Sequence, residues 1–310
     1  MNMPVDMNLS GYWQYPDNVI QYLGNQLYEG RLAIILGAGL SAGVGLPDWK
    51  TLVENMLQSG NTVLNTVEPM EAQIERFGLT HFKNDPPGFL NLVHQYLYSK
   101  KGRLVDIGFG RLSRQPLLRA IGALVMASSR GHANQIITLN FDNILETYLQ
   151  YYGVTVNTVF RPNQWVGRHD VTVLHPHGFL PQNSKQPRSN ELIFDQTSFL
   201  KAIGNPDHPW NQRIQSIIRT HTCLWIGLSG NDLHLQHWAL NAKDHHAARE
   251  DDSAQYHVVW FTTDQTKKDD PLYTDGKRIF PFIVADWQND LPKRLLEICQ
   301  YAAQLRHAIP

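Results

Sequence analysis

Gly37-Ala38-Gly39-Leu40-Ser41 is the segment of this chain with the composition to hold a phosphate. It follows the apolar run Leu32 to Leu36 and precedes a helical pattern. Backbone N–H groups and the positive end of a helix dipole meet at such a turn. Glycine allows the tight path and close backbone approach that a diphosphate requires. Two common phosphate loops do not fit. No glycine here is followed directly by Lys and then Ser or Thr, as a Walker A loop demands. Gly37, Gly39 and Gly43 carry one residue too many before the third glycine for G-x-G-x-x-G. A ligand-free strand-to-helix turn also accounts for the loop taken alone.

Three further polar groups stand just after predicted strands. Asn140 and Asp142 flank Phe141; two apart on a strand they face one side, while in a turn either caps the helix starting near Asn143. His175 and His177 end the next strand, and an unperturbed imidazole titrates near pH ~6.5, which suits a base at neutral pH. Gly227-Leu228-Ser229 ends another strand, with Asp232 beyond it as a helix cap or a ligand contact. His234 and His237 at i,i+3 and the pair His245-His246 have no Cys or H-E-x-x-H partner, so they read as an exposed helix face rather than a metal site.

The elements that must position these groups follow from hydrophobic spacing. Val19, Ile20, Leu23 and Leu27 predict a helix over 17–29, and Leu52, Val53, Met56 and Leu57 another after the glycine loop. Strands are predicted at 32–36, 136–139, 171–174, 223–226, 257–261 and 279–284, with a final helix over 291–306. Residues 61–130 hold helical patterns such as Phe89, Leu90, Val93, Tyr96 and Leu97, and read as a helical module inserted into a single domain spanning 1–310. Residues 181–191 are polar and rich in Pro, Ser and Asn, a loop. Short apolar runs alternating with helices argue for an α/β fold: a mostly parallel sheet covered on both faces, with ligands at the strands' C-terminal ends.

Gly37 through Lys50, reading GAGLSAGVGLPDWK, resembles the sirtuin signature, a GAG-x-S loop followed by G-[IL]-P-D and an aromatic residue. The resemblance implies a Rossmann-like core with NAD as substrate, contacted by Gly37, Ala38, Gly39, Ser41, Pro47, Asp48 and Trp49. Trp49-Lys50 replaces the Phe-Arg common in sirtuins. Thr138-Leu139-Asn140-Phe141-Asp142 resembles the Gln-Asn-Ile-Asp segment, with Leu139 in place of Gln. It implies that Asn140 positions water by the nicotinamide ribose and that Asp142 contacts the nicotinamide amide. His177-Gly178 resembles the sirtuin His-Gly, which makes His177 the expected general base and His175 a supporting residue. Gly227 and Ser229 resemble the Gly-Thr-Ser segment beside the adenosine half, and Val284 to Trp287 falls where sirtuins close over adenine.

The chain has two cysteines, Cys223 and Cys299, both in apolar segments and expected to be buried thiols. The four-cysteine zinc module usual in protein-deacylating sirtuins has no counterpart among them, so no zinc is expected. The pattern resembles the divergent sirtuin-like domains of bacterial antiphage defence, which hydrolyse NAD. It implies an NAD glycohydrolase with Asn140 and His177 as catalytic residues, depleting NAD in abortive infection. It further implies a homo-oligomer controlled by a separate sensor such as a HerA-type ATPase, with a short Argonaute as the alternative. The rival readings are an NAD-dependent deacylase or ADP-ribosyltransferase, and a catalytically silent NAD-binding or ADP-ribose-binding subunit. A net charge of -1 gives no basic field for direct nucleic-acid binding. Met1 to Asp6 lacks the features of a signal peptide, and no apolar run approaches the ~20 residues of a membrane span, so a cytoplasmic protein is expected.

Overall fold

The computed structural model describes residues 12–100, 103–126, 130–164, 167–205, 207–230, 232–246 and 256–307. Helix α1 (Pro16–Tyr28) opens with proline in its first turn and buries Val19, Ile20, Leu23 and Leu27 at helical spacing. It leads into β1 (Leu32–Leu36), buried at every position. The short α2 (Gly39–Ala42) and then α3 (Trp49–Ser59) follow. Helices α4 (Met70–His81) and α5 (Pro86–Leu97) precede a short antiparallel pairing of β2 (Ser99–Lys100) with β3 (Arg103–Leu104). Next come α6 (Phe109–Leu112), α7 (Pro116–Val125), β4 (Gln135–Thr138), α8 (Ile144–Tyr151), β5 (Val156–Val159) and β6 (Val171–Leu174). The remainder is α9 (Gln196–Gly204), α10 (Pro209–Thr220), β7 (Thr222–Ile226), α11 (Leu233–His246), β8 (Val258–Thr262), α12 (Pro271–Lys277), β9 (Ile279–Ile283) and α13 (Asp290–His307).

Seven strands form one sheet in the order β5-β6-β4-β1-β7-β8-β9, and every neighbouring pair is parallel. Side chains alternate across a strand, so each strand feeds two cores. Leu32, Ile34, Leu36, Leu224, Ile226 and Val259 face α1, α7, α8 and α13. Ala33, Ile35, Cys223, Trp225, Val258 and Trp260 face α10, α11 and α12. This explains why the central strand β1 reads as an unbroken apolar run. The arrangement is a Rossmann-like α/β fold.

On one side of β1 the chain adds β4, then the edge strand β5, then β6 between those two, before it crosses to lay β7 against the other flank of β1. The crevice beyond the C-terminal ends of β1 and β7 is therefore the topological switch point, where ligands bind in open α/β sheets. Residues 61–130 add no strand to this sheet among the described residues. No helix among the described residues is long and apolar enough to cross a membrane.

Candidate active site

The loops leaving β1 and β7 touch at the switch point. Gly37 N–H donates to Ile226 O (3.0 Å) and Gly39 N–H to Gly227 O (3.1 Å). A Cβ on Gly37 would overlap the Gly227 carbonyl oxygen, and one on Gly39 would stand 2.7 Å from Gly227 Cα. Gly227 itself has φ +71°, a conformation that side chains resist. The glycines are thus explained by backbone packed on backbone, and two of the N–H groups expected to face phosphate bond the neighbouring loop.

A cleft of about 570 Å³ opens there, within the range of small-molecule sites. Gly37, Ala38, Gly39 and Ser41 line it from the β1 loop; Pro47, Asp48 and Trp49 line it from the approach to α3. Asn140 and Asp142 enter after β4, His177 after β6, and Gly227 and Ser229 after β7. These catalytic and cofactor-binding candidates share one cleft. Val284 to Trp287 do not line it; Asp286 instead accepts the N–H groups of Gln288 (2.8 Å) and Asn289 (2.6 Å) at the start of α13.

Strand β4 stops at Thr138, so Asn140 and Asp142 belong to the following turn, not to a strand face. Asn140 Nδ2 donates to Gly37 O (3.1 Å) and Ser41 Oγ (3.0 Å). Ser41 Oγ in turn donates to Asp142 Oδ2 (2.6 Å), and Asp142 Oδ1 accepts from Ile144 N–H (3.0 Å). Asp142, one residue before the N-cap Asn143, thus holds the first N–H of α8 with one oxygen while its second oxygen faces the glycine loop. Burial raises its pKa, against the two hydrogen bonds that lower it. Ser41→Ala removes the centre of this network. It is expected to cost about 1–3 kcal/mol, because a buried carboxylate loses a donor; urea unfolding beside wild type measures it.

His177 is 7% exposed, and burial alone lowers its pKa to about 4. The expectation of a near-neutral titration is thus corrected: desolvation disfavours the imidazolium, and the ring stays neutral through physiological pH. The unfolded chain, with a histidine near 6.5, takes up the proton first. This contribution to stability is complete above about pH 6.5 and declines as pH falls toward about 4. Thermal midpoints across that window are expected to fall more steeply for wild type than for His177→Gln. Parallel curves would assign the acid loss to another group.

His175 is fully buried, bonded to Asn140 O (Nδ1, 3.0 Å) and to Glu146 Oε1 (Nε2, 2.6 Å). Asp232 accepts from Leu235 N–H (3.2 Å), so it caps α11 while lining the cleft. His237 bonds Asn241 (2.9 Å) on the same helix; the side chains of His234, His245 and His246 lie outside the described residues. No metal-binding group of His, Cys, Asp and Glu occurs among the described residues. Both thiols are buried and unlinked, Cys223 with its pKa pushed up to about 12 by burial.

Sequence reasoning missed the cover of the cleft. Ile193 N–H donates to His177 O (2.8 Å), and α9 begins with an Asp195–Ser198 capping box. Phe194 packs on Trp49 (4.7 Å between centroids), Phe141 (5.5 Å) and Phe89 (5.8 Å); Phe199 lies 6.3 Å from the His177 ring. Thr197 ties this segment to Glu75 of α4 through N–H (3.1 Å) and Oγ1 (2.6 Å). The Asp-x-x-Ser spacing of the capping box was the available signal.

A SIR2-like domain model matches residues 134–282. That stretch holds the β4 turn, His177, the aromatic cover and the β7 loop, but not the glycine loop. No curated protein sequence matches the chain. Among solved structures, one reported for the mechanism and regulation of Sir2 enzymes is 14% identical, with a TM-score of 0.47, covering 93% of this chain and 98% of that one. A Sir2 homolog in complex with NAD is 13% identical, with a TM-score of 0.47 and 94% of each chain covered.

Proposed function

We propose that this chain breaks the nicotinamide–ribose bond of NAD and passes the ribose to water, releasing nicotinamide and ADP-ribose. The observation that carries the reading is the meeting of Asn140 and His177 with the switch-point loops under an aromatic cover. Asn140 has both amide hydrogens engaged, and among the described residues no donor is bound to its Oδ1, which is left to accept a hydrogen bond from water. His177 is the candidate base: its ring is neutral at physiological pH, and the desolvation that keeps it neutral also makes it a weaker base than a free histidine. As the C–N bond breaks, its electron pair leaves with nicotinamide; the oxygen of water bonds the ribose carbon and its proton goes to His177. Phe194 and Phe199 place apolar rings beside the two candidate catalytic residues, and apolar walls strengthen polar interactions near them.

Uncontrolled NAD loss would harm the cell that makes such a chain. The proposal therefore includes a role in antiviral defence, with activity gated by self-assembly or by a separate sensor such as a HerA-type ATPase or a short Argonaute. The test incubates the purified chain with NAD, with and without acyl-peptide or those partners, and measures nicotinamide and ADP-ribose. Peptide-independent release is the expected result. Release only with acyl-peptide overturns it for a deacylase; NAD binding without turnover under every condition overturns it for a silent binding subunit.

A further inference from the structure

Behind the Asn140 turn lies a buried ionisable pair that the proposed hydrolysis does not touch. Glu146, in the first turn of α8, and His175, just past β6, are 3% and 0% exposed. Their contact is Glu146 Oε1 to His175 Nε2 at 2.6 Å. The other ring nitrogen, Nδ1, lies 3.0 Å from the main-chain oxygen of Asn140. A carbonyl oxygen only accepts, so Nδ1 carries a hydrogen. Oε1 and Nε2 then share one hydrogen between them, and the ring is fixed at both ends. Removing one partner from such a pair leaves a buried polar group uncompensated. Asn140 is meanwhile held from the opposite direction by its side chain, on Gly37 O and Ser41 Oγ. Its main chain and its amide are thus clamped by two separate sets of residues, one of which never reaches the cleft.

We infer that Glu146, acting through His175, is a positioning residue. It fixes the ring tautomer that grips the Asn140 carbonyl, and so fixes the direction in which Asn140 presents its amide to the cleft. The effect on rate rests on the NAD-cleavage reading; the tautomer does not. Glu146→Gln preserves the arrangement, because an amide N–H donates to Nε2 and leaves the hydrogen on Nδ1. Glu146→Ala leaves Nε2 without its partner, so the Asn140 carbonyl is the one remaining constraint on the ring hydrogen and the Nδ1 form loses its second support.

Nitrogen-15 NMR of the histidine rings in the full chain tests this directly. Protonated Nδ1 at His175 is expected in wild type and Glu146→Gln, and a mixed or reversed tautomer in Glu146→Ala. With NAD as substrate, Glu146→Ala is expected to lose kcat by about 10- to 100-fold, the scale of removing a histidine's outer partner. KM should be nearly unchanged, and Glu146→Gln should recover wild-type kcat to within about threefold. A bare Nδ1 in wild type, or full kcat per folded molecule in Glu146→Ala, overturns the inference. If Glu146→Ala does not fold, the ring nitrogens of wild type and Glu146→Gln still decide. A wild type that cleaves no NAD but carries the hydrogen on Nδ1 sinks the hydrolase reading and supports the clamp.

Discussion

Asn140→Ala is expected to reduce NAD cleavage by about 10²- to 10³-fold in kcat, the scale of deleting one preorganised polar group from a closed site. Gly37 O and Ser41 Oγ fix its amide nitrogen, and among the described residues no donor is bound to its Oδ1, so truncation removes an oriented acceptor from the cleft. Affinity for ADP-ribose should change little, because the loss falls on water placement in the transition state rather than on binding. Asn140 is half-buried, and losing two hydrogen bonds should cost about 1–2 kcal/mol of stability. Steady-state rates, calorimetry with ADP-ribose and thermal melts separate these effects. A variant that cleaves NAD at the wild-type rate would move water placement to another residue.

Gly37→Ala is expected to damage both fold and binding. Its Cβ would overlap the Gly227 carbonyl oxygen and the Leu228 side chain. The obstacle on one side is backbone, which cannot rotate away, and Gly227 is already committed to positive φ. The two loops must separate, which breaks the Gly37–Ile226 and Gly39–Gly227 hydrogen bonds and widens the crevice. Overpacking of this kind costs about 1–3 kcal/mol. ADP-ribose affinity should fall with it, in contrast to Asn140→Ala. Urea unfolding and calorimetry on one preparation test both halves. Unchanged stability would mean that the loops yield at no cost and that their close approach is not what the glycine serves.

What was legible in the sequence depended on how local its cause was. β1, β6, α5 and α13 were visible because each shows apolar residues at the spacing of its own element. β5 was not: Val156-Asn157-Thr158-Val159 is an edge strand without an apolar run. α9 and α10 were missed although α10 carries proline in its first turn and buries Trp210, Ile214 and Ile218 on one side. The residues meeting in the cleft were legible through motif resemblance, which reads chemistry directly. Glu146 and Phe194 were not, because their meaning arises from partners 29 residues or more away: His175 for the one, Trp49 and Phe89 for the other. The depressed pKa of His177 was hidden for the same reason, since desolvation belongs to the packed state.

The contact between the β1 and β7 loops also sets when the site comes into being. Ser41, Asn140 and His177 leave the ribosome well before Gly227, which follows Gly37 by about 190 residues. The flank of β1 that β7 occupies stays bare until Leu32–Leu36 finds its parallel partner in Thr222–Ile226. Pairing across so long a stretch is slow and comes late in folding. A nascent chain therefore carries the reactive residues without the wall that encloses them, and the cell meets a competent cleft only after most of the protein has been made.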